Sequence, residues 1–140
     1  MLVLDTSGLL AAIDPNQPDH KEVRQVLREE AGPLLMSPYV LAEADYMITK
    51  LAGTRRAIEF LRSVSTGDYE MVTMSAVDVR RAADISERYA DMAIGLTDAS
   101  VALIEARHST TRLLTLDQRH FRAMKPLWGD AFTVLPADAA

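Results

Sequence analysis

Short apolar runs alternate with amphipathic segments along the whole chain. The runs predict buried strands at residues 2–4, 34–36, 69–74, 113–116 and 132–135. Between them, apolar side chains recur at the three-to-four-residue spacing of helices, which predicts helices over residues 8–13, 19–30, 38–51, 54–66, 75–89, 99–106 and 118–123. This alternation predicts an α/β protein, a three-layer α/β/α sandwich with a short parallel central sheet.

Polar residues mark where several of these helices begin. Ser37 supplies a capping hydroxyl in front of Pro38, which costs no hydrogen bond at a first helical position. Ser75 is expected to cap the helix that follows it, and Thr6 or Ser7 to cap the helix after the first strand. Asp5 would then lie at the carboxyl end of that strand, where ligands bind in open α/β sheets.

Length and composition limit the classes of protein. With 140 residues, 49% of them hydrophobic, the chain suits a single domain spanning residues 1–140. No apolar run is long enough for a membrane span, so we expect no membrane association and a soluble, cytoplasmic protein. The absence of cysteine excludes disulfides and thiolate metal sites.

The formal charge of −5 argues against a generally basic surface for nucleic acids. Bound divalent ions can nevertheless reverse the potential inside an acidic cleft and allow a polyanion to enter. Whether this negative net charge is compatible with nucleic-acid binding therefore depends on where the acidic residues lie.

Four carboxylates lie at topologically equivalent places in the predicted sheet. Asp5 and Asp117 each end a strand, Glu43 lies in the first turn of a helix that follows a strand, and Asp98 opens the most apolar helix. Singly, each could be a helix cap, a partner of a helix dipole or a solvated acid. Together, they fall on the same edge of a parallel sheet.

Carboxylates packed together repel each other, so protonation or a cation must relieve the repulsion. Magnesium and manganese suit a site made only of oxygen ligands with retained waters. The chemistry that follows is hydrolysis of a phosphodiester bond by a metal-activated water.

The segments Leu4–Ser7, Ser37–Glu43, Thr97–Ala99 and Leu113–Phe121 carry these acids in order. Together they resemble a PIN domain and, more narrowly, the VapC toxins of type II toxin–antitoxin modules. The resemblance covers nearly the whole chain. It implies an endoribonuclease that depends on Mg²⁺ or Mn²⁺, cuts a structured RNA such as a transfer RNA or a ribosomal RNA loop, and is neutralised by a cognate VapB-type antitoxin.

The resemblance also implies roles for individual residues. Asp5, Glu43, Asp98 and Asp117 match the family's acidic quartet, with Asp5 and Asp98 expected to touch the metal directly and the other two partly through waters. Thr6 and Thr115 match hydroxyls that orient carboxylates or waters. VapC-like proteins usually form homodimers, for which the apolar faces of the helices between residues 40 and 61 are candidates.

Basic residues near the last acid are candidates for contacts with RNA phosphates, namely Arg112, Arg119, Arg122 and Lys125. His120 could be a metal ligand or a general base, but on a short helix after Asp117 it is interpreted as a packing residue or a phosphate contact. Asp91, close in sequence to Asp98, is interpreted as a solvated acid in a loop.

Two other classes of protein place acids in a similar pattern. A phosphoryl-accepting receiver domain is also doubly wound, but it needs paired acids after its first strand, where Asp5 stands alone. A non-enzymatic module could use the same acids to dock a basic peptide. Metal-dependent RNA cleavage separates that module from an enzyme.

Overall fold

The computed structural model describes residues 1–140 as a five-stranded parallel sheet flanked by seven helices. The strands are β1 (Leu2–Leu4), β2 (Leu34–Met36), β3 (Tyr69–Met71), β4 (Arg112–Leu114) and β5 (Thr133–Leu135). The helices are α1 (Thr6–Ile13), α2 (His20–Glu29), α3 (Pro38–Ala52), α4 (Thr54–Thr66), α5 (Ala76–Arg88), α6 (Leu96–Arg107) and α7 (Gln118–Ala123). The predicted three-layer α/β/α architecture is confirmed.

The first strand lies at the centre of the sheet. The strand order is β3-β2-β1-β4-β5, and all four pairings are parallel. Leu2, Val3 and Leu4 are at most 1% exposed because helices cover both faces of the sheet, which explains the unbroken apolar run. Asp5, which follows β1, therefore lies near the middle of the carboxyl-terminal edge.

Two predicted caps are present as expected. The Ser37 hydroxyl accepts a hydrogen bond from the Tyr39 N–H at 3.1 Å at the start of α3. Ser75 and Asp78 form a capping box at the start of α5, in which each side chain accepts from the other residue's backbone N–H. Local sequence is sufficient to begin both helices.

Other helix starts differ from the predictions. Helix α1 begins at Thr6, and neither Thr6 nor Ser7 caps it, because Asp5 occupies the cap position without a side-chain hydrogen bond to the helix. Helix α6 begins at Leu96 after Gly95, so Asp98 lies in the first turn rather than at the cap. Both acids thereby keep their carboxylates free of capping bonds.

Smaller differences concern an edge strand, a loop and a helix face. The strand expected over residues 69–74 ends at Met71. Asp91 is exposed as predicted, although it lies in a short 3₁₀ turn, Ala90–Met92, and not in an open loop. On α5, the apolar side chain of Val79 faces solvent and is 44% exposed. No helix is both long enough and apolar enough to cross a membrane.

The hairpin of α3 and α4 has two apolar faces. Its inward face belongs to the protein's own core, where Val40, Ala44 and Ile48 are buried. Large apolar side chains on its outer side are exposed to solvent, namely Tyr46, Leu51, Ile58 and Leu61. Only this outer set is free to form the homodimer contact that was predicted for residues 40–61.

Candidate active site

A cleft of about 550 Å³ opens at the carboxyl-terminal edge of the sheet. All four predicted acids line it: Asp5, Glu43, Asp98 and Asp117. They come from the end of β1, from α3, from the first turn of α6 and from the segment after β4. The structure thus brings together four residues that are far apart in sequence.

A close backbone approach places the start of α1 beside β4. A Cβ atom added at Gly8 would lie 2.4 Å from the Leu114 carbonyl oxygen, so only glycine allows the helix to pack there. The Asp5 N–H also donates to that carbonyl at 3.0 Å. These contacts place the residues that follow β1 next to the residues that follow β4.

The Asp5 carboxylate is 4% exposed and is held by hydroxyl groups. Thr115 Oγ1 donates to Asp5 Oδ2 at 2.6 Å and accepts from the Asp117 N–H at 3.0 Å. Ser7 Oγ lies 3.1 Å from Thr115 Oγ1 and accepts from the Leu116 N–H at 2.9 Å. Thr115 therefore links two of the acids, which fits the orienting part implied for it.

Burial raises the pKa of Asp5 to about 6, against the opposing effect of the Thr115 hydrogen bond and with a further contribution from the Asp98 and Asp117 charges. Burial also raises the pKa of Asp98, where His120 opposes the shift and the charges of Asp117 and Glu43 add to it. Each acid makes ionisation of its neighbours less favourable. The cleft therefore attracts positive charge.

His120 lies between two of the acids. Its Nδ1 is 2.9 Å from Asp98 Oδ2 and 2.9 Å from Asp117 Oδ2. His120 thus belongs to the lining of the acid cleft, and its interpretation as a packing or phosphate-contacting residue stays a prediction. Asp117 caps α7 by accepting from the His120 N–H at 3.1 Å, and this bond fixes the first turn of α7 so that the imidazole faces α6.

Glu43 and Thr6 complete the lining. Glu43 is an exposed side chain that lines the cleft from the second turn of α3, and not from the first turn as predicted. Thr6 is 4% exposed, and its Oγ1 is buried without any hydrogen-bond partner in the protein. A buried hydroxyl at the wall of a cleft normally bonds to a water or a ligand.

The four predicted RNA-contacting cations do not share one location. Arg112 begins β4 and so lies at the opposite, amino-terminal edge, where its Nη2 contacts Glu30 Oε2 at 2.6 Å. That position contradicts its assignment to the rim of the acid site. Arg122 forms a two-point ion pair with Asp138, whereas Arg119 on α7 and Lys125 just after α7 are exposed.

The family model for the PIN domain matches residues 2–126 of this sequence. The chain belongs to the PIN domain family. Ribonuclease VapC26 of Mycobacterium tuberculosis is 38% identical over 135 residues, which cover 96% of this chain and all of that protein. The predicted resemblance to PIN domains of the VapC type is confirmed.

Solved structures share the fold at low sequence identity. M. tuberculosis VapC20, described as a toxin that cleaves the sarcin–ricin loop, has a TM-score of 0.78 at 14% identity and covers 84% of this chain and 91% of its own. Rickettsia felis VapBC2, bound to a promoter DNA fragment, has a TM-score of 0.66 at 20% identity over 91% of this chain and 95% of its own.

The topology of this PIN domain excludes the receiver alternative. Receiver domains have the strand order 2-1-3-4-5, with the first strand displaced from the centre. Here the order is β3-β2-β1-β4-β5. Asp5 consequently lies between strands that bring Asp117 and Glu43 towards it, and not beside a second acid of its own loop.

Two residues of the site were not assigned from the sequence. Ser7 joins the hydroxyl network of Thr115, which could not be foreseen because the partner lies 108 residues away. His120 had one signal in the sequence, its position three residues after a capping acid. That spacing places the imidazole on the same face as the carboxylate of Asp117.

Proposed function

We propose that this PIN domain is a metal-dependent endoribonuclease, the toxin of a type II toxin–antitoxin module, that cleaves structured RNA such as a transfer RNA or a ribosomal RNA loop. The convergence of Asp5, Glu43, Asp98 and Asp117 on one cleft is the observation that carries this proposal. The ribonuclease name of the 38% identical relative supports the same reaction.

The residues of the cleft fit a divalent cation such as Mg²⁺ or Mn²⁺. The acids supply hard oxygen donors, and the buried carboxylate of Asp5 has hydroxyl partners but no ion pair within the protein. The unpartnered hydroxyl of Thr6 offers one more oxygen at the wall, to a ligand or to a water. These features point to an ion and not only to a solvated acidic surface.

Asp5 and Asp98 are proposed to hold the ion directly, and Glu43 and Asp117 to act partly through waters. A bound divalent ion supplies Lewis-acid chemistry, lowering the pKa of a water and offsetting charge on the phosphate and the leaving oxygen. The protein supplies no covalent nucleophile in this scheme, so the product keeps a 5′-phosphate. Thr115 keeps the Asp5 carboxylate in one orientation through their 2.6 Å hydrogen bond.

Arg119 and Lys125 are the proposed contacts for RNA phosphates, since both are exposed and follow Asp117 closely in the sequence. Arg122 is engaged by Asp138 and would have to exchange that partner for a phosphate. Arg112 has no part in this proposal because it lies at the other edge of the sheet.

A cognate VapB-type antitoxin and a second copy of this chain are the proposed partners. The antitoxin is supported by the structural likeness to VapBC2, a toxin solved together with its antitoxin. The homodimer is supported by the exposed apolar side chains on the outer side of α3 and α4.

The first experiment measures Mn²⁺ binding by calorimetry and cleavage of a pool of folded transfer and ribosomal RNA, with Mg²⁺ or Mn²⁺ present. We expect wild type to bind the ion and cut RNA, and Asp98→Asn to lose both while remaining folded. Asp91→Asn is the matched control, because Asp91 is an exposed acid outside the cleft.

Normal cleavage by Asp98→Asn would contradict the proposed site. Failure of wild type to bind either metal, or to cut any RNA with metal bound, would favour the alternative of an acidic module that docks a basic peptide. Changes in the NMR chemical shifts of the residues that line the cleft, on addition of an arginine-rich peptide, would then support that alternative.

A further inference from the structure

The imidazole of His120 occupies an unusual position within the acid cluster. Its Nδ1 is buried and lies 2.9 Å from oxygens of both Asp98 and Asp117. Despite these distances, Nδ1 forms no hydrogen bond of acceptable geometry with either carboxylate. The nitrogen is therefore close to both oxygens without a well-aligned bond to either of them.

Three atoms that each carry a lone pair cannot approach this closely without positive charge between them. One oxygen each from Asp98 and Asp117 and one ring nitrogen of His120 lie within 4.8 Å of one another. That positive charge is either a proton on Nδ1 shared between the two oxygens or one cation shared by the three donors, and the test below separates the two. The arrangement is that of a mixed nitrogen and oxygen ligand set.

We propose that His120 is a nitrogen ligand of the metal ion and makes this site favour a first-row transition ion such as Mn²⁺ over Mg²⁺. The inference rests on the proposed function, because it concerns the ion of the same cleft. Magnesium strongly prefers oxygen ligands and retained waters, whereas imidazole is a good donor to first-row transition ions. An all-carboxylate cleft would not discriminate in this way.

The local structure supports a fixed ring. The His120 side chain is 21% exposed, and its backbone N–H is bound by Asp117 Oδ1 at the cap of α7. Phe121, the next residue, is 1% exposed and packs edge-on against Phe132 at 5.4 Å, which anchors α7 to the core. A ligand anchored in this way loses little conformational entropy when it binds an ion.

The test compares wild type, His120→Gln and the control His108→Gln. His108 is a suitable control because its Nδ1 contacts the backbone carbonyl of Ile104 in its own helix, and it does not line the cleft. Electron spin-echo modulation of the Mn²⁺-loaded protein reports a directly coordinated ¹⁴N without any need for RNA. Calorimetry gives the affinities for Mn²⁺ and Mg²⁺ separately.

We expect ¹⁴N modulation in wild type and in His108→Gln, and its loss in His120→Gln. The affinity of His120→Gln for Mn²⁺ should fall by about tenfold or more, since even residues that only support ligands contribute that much. Its affinity for Mg²⁺ should change by clearly less. This pattern would establish both the ligand and the preference.

Bound Mn²⁺ without ¹⁴N modulation in wild type would overturn the inference and leave the carboxylate site of the proposed function intact. Equal losses of Mn²⁺ and Mg²⁺ affinity in His120→Gln would overturn the preference. Absence of Mn²⁺ binding in all three proteins would overturn the inference together with the proposed metal dependence. RNA cleavage in the presence of a chelator would then confirm that the reaction needs no metal ion.

Discussion

Asp5 and Glu30 are both buried carboxylates at the ends of the sheet, and they differ in their partners. Glu30, at the amino-terminal edge, receives hydrogen bonds from the Met1 amine at 2.7 Å, from the Gly32 N–H at 3.0 Å and from Arg112 at 2.6 Å. Burial alone would raise the pKa of Glu30, but these three donors lower it to about 2. Asp5 receives only hydroxyl and backbone donors, and its pKa rises to about 6.

The contrast shows what the fold provides at each edge. At the amino-terminal edge, the chain supplies its own cations, so that the charge stabilises the folded protein. At the carboxyl-terminal edge, the acids face one another and their carboxylate charges are left without a lysine or arginine partner. A protein that keeps such a cluster has less stability than it could have, as is common at functional sites.

Replacing Asp5 removes the charge that the cleft cannot compensate. We expect Asp5→Asn to lower RNA cleavage by more than about a thousandfold, because metal ligation supplies several kcal/mol of transition-state stabilisation. Without metal, the same change should raise the free energy of unfolding at pH 7.5 by about 1–3 kcal/mol. Chemical denaturation with a chelator present measures the second effect.

The pH dependence of Asp5→Asn follows from the raised pKa. Wild type loses stability as pH rises from about 4 towards 6, because the unfolded carboxyl gives up its proton before the folded one does. The advantage of the variant should therefore be absent near pH 4 and fully developed above pH 6. An advantage of equal size at both pH values would show that charge repulsion is not its cause.

Glu105 extends the comparison to a carboxyl group with no partner at all. It lies on α6, is 1% exposed, and neither of its oxygens has a hydrogen-bond partner. Burial raises the pKa of Glu105 to about 9, so the folded protein holds it protonated at neutral pH.

We expect wild type to lose roughly 2–3 kcal/mol of stability relative to Glu105→Gln between pH 5 and 7, since each pKa unit is worth about 1.4 kcal/mol. The sign follows because the unfolded Glu105 is ionised over this range, whereas the folded one is not. Urea denaturation at several pH values measures it. Glu87→Gln, on the exposed surface of α5, is the control and should show no such trend.

Glu30→Gln tests the amino-terminal edge of the sheet, where the carboxylate is paired. Its effect on the free energy of unfolding should have the opposite sign to that of Asp5→Asn. We expect a loss of about 1–2 kcal/mol at pH 7, because hydrogen bonds to a charged group are replaced by weaker ones and Arg112 is partly solvated. The lowered pKa of Glu30 means that this loss shrinks as pH falls from about 4.5 towards 2.

Denaturation of Glu30→Gln beside Glu22→Gln, an exposed acid on α2, isolates the effect of pairing. Equal stabilities of the two variants at pH 7 would mean that the ion cluster contributes nothing, and the contrast between the edges would be lost.

The positions of Asp5, Asp98 and Asp117 were predictable because each follows a strand or lies in the first turn of a helix, and parallel strands end at one edge. The same reasoning failed for Arg112, which lies five residues before Asp117 in sequence but on the other side of a strand that crosses the sheet. The contact between His120 and Asp98 could not be predicted, because Asp98 comes from α6 and no local pattern reports how the starts of two helices face each other. The positions of strand ends can thus be predicted well from the sequence, whereas contacts between side chains of different elements can be predicted only poorly.

The last expected effect concerns the hydroxyls that join α3 and α6, the two helices that carry Glu43 and Asp98. Ser100 Oγ donates to the Thr97 carbonyl at 2.7 Å and lies 2.7 Å from Ser37 Oγ, and both serines are fully buried. Because the Ser100 proton is already used, the Ser37 hydroxyl must donate to Ser100. This bond ties the start of α3, which carries Glu43, to the start of α6, which carries Asp98.

Ser100→Ala removes the acceptor and leaves the Ser37 hydroxyl proton buried without a partner. We expect a loss of about 1–2 kcal/mol in unfolding free energy and a drop of up to about tenfold in Mn²⁺ affinity, because the two helices that carry Glu43 and Asp98 are no longer joined. Ser63→Ala is the matched control, since Ser63 makes the same kind of bond to a carbonyl three residues earlier but lies on exposed α4. If Ser100→Ala lost stability while keeping full Mn²⁺ affinity, the serine pair would belong to the core alone, and the geometry of the acid edge would have to be maintained by the Asp5, Thr115 and Asp117 contacts.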